Sequence, residues 1–226
     1  AFSAVLFLLL AREKPATPPC PPGMEVRALM LDGLKNALKN KSFWTYLLIS
    51  FIGMGLFNGI TTWVEGIIRP RGFSPTVAGT LGALMLVGGV LGAVILPPIS
   101  DKQRKRQRFL LIGFAFAIPG LIGLTFAESA WLLYVSAFSM GFFLVSANPI
   151  GMQYAAEITF PTPEGTSNGL IQLFSQASVV FVYVMEALRK PDGSFSPALL
   201  LAVGLMVISV LAILRLKDPE IIRSNT

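Results

Sequence analysis

Six separate stretches of this chain are each long and apolar enough to cross a lipid bilayer, and that feature leaves little choice of fold. A bilayer core of about 30 Å is spanned by ~20 mostly apolar residues in a helix. Within that layer each backbone N–H and C=O must be satisfied internally, which selects helices here. The stretches cover about Phe43–Ile67, Thr76–Pro97, Phe109–Ala127, Ala130–Ala156, Gly165–Leu188 and Pro197–Leu214. The expected fold is therefore an all-α membrane protein with six transmembrane helices. Composition matters in one respect: only 13% of the 226 residues are charged, about half the share in a soluble domain. A soluble globule of this size would lack the charge to cover its surface. A seventh apolar stretch, Ala1–Ala11, is too short to span and shows neither the basic start nor the cleavage site of a signal peptide. It reads as the last half of a helix that begins upstream, so the chain is expected to be a fragment.

Basic residues set the expected orientation, because short cytoplasmic loops are enriched in Lys and Arg. Of the 18 basic residues, 14 fall in segments 12–42 and 98–108, with Arg215, Lys217 and Arg223. The opposite side holds Arg69, Arg71, Arg189 and Lys190. Segments 12–42, 98–108 and the tail 215–226 are thus expected to be cytoplasmic, and 157–164 joins them by alternation. Segment 12–42 divides into an extended, proline-rich part, Lys14–Gly23, and a basic amphipathic helix. In the helix Val26, Leu29, Met30, Leu34 and Leu38 stand opposite Arg27, Lys35, Lys39 and Lys41. Residues 43–214 form the six-helix body. The net charge of +6 is accounted for by the lipid bilayer as partner, not by nucleic acid. A plasma membrane or bacterial inner membrane is the default location.

Several chemistries are excluded by residue type. There is no histidine, and Cys20 is the single cysteine, so His-based nucleophilic sites, zinc sites and internal disulfides are out of reach. The span cores hold neither Asp nor Lys, which removes paired aspartates and a Ser-Lys dyad. No enzyme activity, metal or cofactor is expected.

Polar side chains inside a membrane are costly and face a cavity or another helix. The third and sixth spans carry almost none, Thr125 and Ser209 apart, and are expected to face lipid. In the second, Gly88 and Gly92 have the spacing of close helix packing. The other three have polar stripes. Asn58, Thr61, Thr62 and Glu65 share one face of the first span. Ser139, Ser146, Gln153 and Glu157 align in the fourth, beside the Asn148-Pro149 kink. Asn168, Gln172, Ser175, Gln176, Tyr183 and Glu186 align in the fifth. A hydrated cavity explains these stripes, as does interhelical hydrogen bonding, and the longest stripe favours the cavity. Gln176 and Asn58 lie near the middle of their spans, where amides orient a polar solute without burying a charge. Glu65 and Glu186 lie near outer helix ends, either paired with neighbouring arginines or available for ion coupling.

Two landmarks carry a family resemblance. Asp101-Lys102-Gln103-Arg104-Lys105-Arg106 resembles the acid-led basic loop of the major facilitator superfamily, and Glu157-Ile-Thr-Phe-Pro161 resembles its Glu-x-x-Pro signature. With Glu164-Gly-Thr-Ser-Asn-Gly169-Leu the pattern is similar to the feline leukaemia virus subgroup C receptor-related branch, which includes haem/choline-type and vitamin-type carriers. The resemblance implies the C-terminal six-helix half of a twelve-helix transporter, with Ala1–Ala11 ending helix six and an N-terminal six-helix half as partner. It implies that helices seven, ten and eleven line the path while nine and twelve are peripheral. It also implies a substrate-contacting glutamine twelve residues after Glu164, which is Gln176. Choline-handling members place an aromatic residue on helix seven where this chain has Asn58, with Trp63 or Tyr183 as substitutes. The superfamily's arginine between helices ten and eleven is absent, and Glu164-Gly165 stands near its place.

The expected function is secondary active transport of a small polar organic solute, amine- or vitamin-like, by alternating access. Gln176, Gln172, Asn58, Tyr183 and Trp63 are the candidate substrate-binding residues, and Glu65 and Glu186 the candidate ion-coupling groups. Asp101, Arg104, Arg106, Glu157 and Glu164 form the candidate conformational latch. The rival readings are a non-transporting membrane receptor or scaffold, and a channel.

Overall fold

Each of the six long apolar stretches forms helix in the computed structural model, which describes residues 30–218. The expected helix end at Ala1–Ala11, the proline-rich segment and the tail beyond residue 218 lie outside the described residues. A short helix, α1 (Met30–Lys39), leads into α2 (Lys41–Ile68), closed by a 3-10 turn at Arg69–Arg71. Then come α3 (Pro75–Gln103), α4 (Arg106–Phe126), α5 (Ala130–Thr159), α6 (Glu164–Ala177), α7 (Val180–Ala187) and α8 (Ser196–Arg215). By length and composition, six units qualify as spans, α6 and α7 counting together as Glu164–Ala187. No strand occurs among the described residues. The chain is an integral, multi-pass membrane protein. Its α1, the α3–α4 turn, the α5–α6 turn and the end of α8 gather at one end, here the basic end.

Local chemistry sets the helix starts. Asn40 Oδ1 accepts from the Ser42 and Phe43 N–H groups at 2.9 and 3.2 Å, which caps α2. Pro75 opens α3 at a position whose N–H would have no helical partner. Two outcomes differ from expectation. Helix α3 continues through Pro97 and Pro98 to Gln103, beyond the point where an apolar run with paired prolines suggests an end. The fifth span, expected to be continuous, is interrupted at Ser178 and Val179. There the Ser178 and Val179 N–H groups donate to the Ser175 and Gln176 carbonyls, both at 3.2 Å, so the backbone tightens from i−4 to i−3 pairing. The Ser178 hydroxyl also donates to the Ser175 carbonyl. A serine that competes for backbone acceptors, ahead of the β-branched Val179-Val180, supplies the local cause.

The tightest packing joins α3 to α5. A Cβ built at Gly88 would stand 2.5 Å from the Phe138 carbonyl oxygen, and one at Gly92 would stand 2.0 Å from that of Phe142. From the other side, a Cβ at Gly141 would lie 2.1 Å from the Met85 carbonyl oxygen. The two backbones touch because the side chains are absent. Gly92→Ala is therefore expected to lower stability by about 1–3 kcal/mol, read as a drop in Tm in detergent. Gly79→Ala, where a Cβ meets open space, is expected to leave Tm unchanged or slightly raised.

Helix α4 meets the expectation that it faces lipid on one side only: it presents Phe116, Ile122 and Phe126 outward. Its other side lies against α5 and α8 and buries Phe109, Leu110, Phe114, Ala117, Leu121 and Leu124. Lipid tails and leucines are equally apolar, so the scarcity of polar residues marks α4 as dry without saying what surrounds it. Helix α8 does present Leu200, Leu201, Ile208, Leu211 and Leu214 outward.

Helix α1 is seated on the α5–α6 turn. The Thr162 hydroxyl donates to the Gly33 carbonyl at 3.0 Å. The Asn40 amide donates to the Ile158 carbonyl at 2.7 Å. Among its described side chains Gly33 and Ala37 are buried, Leu34 is half-buried and Leu38 exposed; Val26, Leu29 and the Met30 side chain of the expected apolar face lie outside the described residues. The closest contact is made by small residues, which let α1 lie close to Thr162 and Pro163. Helix α6 starts at Glu164 after Pro163 with no side-chain cap, the Thr162 hydroxyl being committed to α1.

Candidate functional site

Two helices carry a polar face that the bundle does not consume. On α6 and α7, Gln172, Gln176 and Tyr183 are exposed while Ile171, Ser175 and Met185 are buried. On α2, Asn58 is half-buried and Thr62 and Glu65 are exposed. The buried sides of these helices meet each other. A Cβ at Gly55 would stand 2.3 Å from the Phe181 ring, and one at Gly59 would stand 2.5 Å from the Met185 sulfur. Ser50 Oγ and Ser175 Oγ share a hydrogen bond at 3.4 Å. The polar stripes therefore flank a packed α2–α6/α7 seam. Gln176 lies two residues before the interruption, where the freed backbone is re-satisfied by tight turns.

Asn168, one turn before Gln172 on the same stripe, has a buried Oδ1 with no partner among the described residues. Thr61 is half-buried, its hydroxyl taken up by its own helix through donation to the Phe57 and Asn58 carbonyls at 2.8 and 3.1 Å.

Trp63 has a different position from the other candidates. Its Nε1–H donates to the Val182 carbonyl at 2.9 Å, and its ring lies 5.4 Å from that of Phe195, centroid to centroid. It ties α2 to α7 and also forms part of the wall of an open vestibule of about 510 Å³ with Thr62, Glu65, Arg69, Arg189 and Asp192. Glu186 pairs with Arg189 at 3.3 Å, both half exposed, and the Arg189 guanidinium lies 5.4 Å from the Phe195 ring centroid. Glu65 makes no ion pair among the described residues. Exposed pairs of the Glu186–Arg189 kind contribute little stability, so the vestibule is a mixed-charge mouth, not a rigid clasp.

The fourth-span stripe belongs elsewhere. Ser146 is buried and donates to the Phe143 carbonyl at 2.7 Å. Gln153 donates to Glu157 at 3.1 Å. Glu157 in turn accepts from Arg106 Nη2 at 2.9 Å and from Nε at 3.2 Å. This stripe faces the α3–α4 side of the bundle and does not line the face shared by α2 and α6. Arg106 also reaches Asp101 and, at 3.4 Å, the Ser100 hydroxyl. One guanidinium thus holds the end of α3, the start of α4 and the end of α5 together. Its side chain is 8% exposed and that of Glu157 15%, against 60% for Asp101, so the Arg106–Glu157 pair is the desolvated one. Arg104, expected in the same cluster, closes α3 with a left-handed backbone at φ 52°, and its exposed side chain makes no ion pair among the described residues. Glu164 is exposed in the first turn of α6 and likewise stands outside the cluster.

Two anchors escaped the sequence reading. Arg71, read as a possible ion-pair partner, instead donates to the Leu124 and Ala127 carbonyls at 2.8 and 2.9 Å, closing the carboxyl end of α4. Gln107 donates through Nε2 to the Ile213 and Leu214 carbonyls at 3.0 and 3.2 Å. Its backbone N–H meets Asp218 at 2.9 Å, which joins α4 to the end of α8. Neither has a signal in composition, because both use a neighbour's backbone as partner.

The Major Facilitator Superfamily model matches residues 1–183 and again 67–225 of this chain. An uncharacterized protein of Archaeoglobus fulgidus is 34% identical over 184 residues, covering 80% of this chain and 82% of that one. The choline/ethanolamine transporter flvcr2a of Danio rerio is 26% identical over 225 residues, 93% of this chain and 48% of that protein. Solute carrier family 49 member A3 of Xenopus tropicalis is 26% identical over 206 residues, 86% of this chain and 42% of that protein. The chain therefore spans about half the length or less of the named carriers that it matches.

Proposed function

The chain belongs to the major facilitator superfamily, in the branch related to the feline leukaemia virus subgroup C receptor, and from that premise we propose that it is the C-terminal half of a secondary transporter for a small polar organic solute of the amine- or vitamin-like kind. One observation carries the reading. Gln172, Gln176 and Tyr183, on an interrupted membrane helix, are exposed beside Asn58, Thr62 and Glu65 on the helix packed against it. Polar groups at that depth and free of structural partners serve a solute, and broken helices recur where transporters bind one.

In this reading Gln176 and Gln172 hydrogen-bond the substrate and Asn58 borders it. Glu65, a vestibule carboxylate on a membrane helix with no ion pair among the described residues, is the first candidate for ion coupling, ahead of the paired Glu186. The Asp101–Arg106–Glu157 cluster holds one conformation during alternating access, with the basic end cytoplasmic. The names of the longer relatives make choline and ethanolamine the first solutes to test.

The measurement is uptake of radiolabelled choline and ethanolamine into proteoliposomes holding the full-length protein, with and without a pH gradient. Saturable uptake that supports counterflow is expected. Non-saturating flux would point to a channel. Folded protein with no flux of either amine would remove the amine assignment and leave a vitamin-like solute or a receptor.

A further inference from the structure

A recess of about 120 Å³ opens between α2, α4 and α5, and the candidate residues discussed above do not line it. Its walls include Tyr46, Ser50, Met54 and Phe57 from α2, Phe114 from α4 and Asn148 from α5. Tyr46 and Phe114 are buried, whereas Ser50, Met54, Phe57 and Asn148 are half-buried, so the recess has an aromatic floor and an accessible rim. No Asp, Glu, Lys or Arg lines it. Its depth depends on Gly53, where a Cβ would stand 2.9 Å from the Phe114 ring.

Two relations connect the recess to the polar stripes. Met54 lies one helical turn from Asn58, on the same face of α2. Ser50, on the rim, hydrogen-bonds Ser175 at 3.4 Å, the residue adjacent to Gln176. A molecule held by the Gln176 amide therefore has an apolar space on the adjoining helix, between two hydrogen-bonding groups, Ser50 and Asn148.

Resting on the transport reading above, we infer that this recess is an apolar subsite of the path, seating an alkyl group of the substrate while the polar head lies on the glutamines. The preferred solute is accordingly an amphipathic amine, larger than a bare ethanolammonium head. Size sets the limit. An apolar cavity of 150 Å³ holds benzene, so this one holds about four to five carbons. Each buried methylene is worth about fourfold in affinity, up to that length.

The test uses N-alkyl-N,N-dimethylethanolammonium ions, with alkyl from methyl (choline itself) to hexyl, binding to the full-length protein in nanodiscs, followed by thermal shift. Affinity is expected to rise about fourfold per methylene, peak near butyl or pentyl and fall at hexyl. Asn148→Phe, which fills the rim, is expected to flatten the series while choline still binds. Phe114→Leu, which enlarges the floor, is expected to move the peak one methylene longer. Gln176→Ala is expected to weaken every member alike.

Should the series respond to Asn148→Phe and Phe114→Leu but not to Gln176→Ala, the recess stands and the glutamine assignment falls. Should choline bind through Gln176 while the series is flat, a side chain of the N-terminal half fills the recess and the inference is overturned. A rise with chain length that survives both recess variants is partitioning into lipid, and overturns it too. Binding by no member of the series overturns it as well.

Discussion

Replacing Gln176 with alanine is expected to lower uptake by the full-length protein about 5- to 150-fold in kcat/KM, with the amount of folded protein unchanged. The range follows from leaving a desolvated polar group of the solute without its partner, which costs about 1–3 kcal/mol. The side chain is exposed on the bundle and makes no hydrogen bond within it among the described residues, so its removal takes nothing from the fold. Ser175, one residue earlier, is the opposite case: buried, and bonded to Ser50. Substituting Ser175 is expected to reduce folded protein and uptake together, and that contrast separates a binding amide from a packing hydroxyl. Wild-type uptake by Gln176→Ala would remove the residue from the substrate site.

The second large effect is expected at the basic end. Arg106→Ala strands Glu157, whose side chain is 15% exposed, beside a vacated cavity. Breaking a buried pair by deleting one partner costs about 3–5 kcal/mol, which for a body of this size lowers Tm on the order of 10 °C. Removing both charges, Arg106→Met with Glu157→Gln, is expected to restore most of that loss, because no unpaired charge then remains. Arg104→Ala is expected to leave Tm unaltered, since that side chain is exposed and unpaired among the described residues. Thermal unfolding of the four proteins in one detergent checks the set. Equal loss in the single and double variants would show that the guanidinium matters for packing and not for charge.

The contrast between Arg104 and Arg106 shows where sequence reasoning stops. A run of five cations behind one acid identifies the basic end by charge alone. Which cation turns inward depends on where α3 ends and α4 begins, and a two-residue shift exchanges a solvated arginine for a buried one. The spans were legible for the reason that makes them spans: ~20 apolar residues have few other uses. The interruption at Ser178 was not, because hydropathy stays high through Val179-Val180-Phe181-Val182 while the backbone changes its pairing. The stripe of the fourth span was periodic as read, but periodicity says that residues share a face and not which neighbour the face meets. Gln153 and Glu157 meet Arg106 or each other, not the face shared by Asn58 and Gln176. Gly88 and Gly92 were informative because close approach of two backbones requires a specific residue at a specific spacing.

The interruption of the fifth span also has an electrical consequence. A helix concentrates its partial charges, about half an elementary charge at each end, on the unpaired groups of its termini. Between α6 and α7 the Ser178 and Val179 N–H groups stay paired through i−3 bonds, so Glu164–Ala187 crosses the apolar layer as one span without a pair of bare ends at mid-depth. The polarity offered beside Gln176 is therefore that of neutral side chains, and it comes without the desolvation cost that a formal charge at that depth would bring.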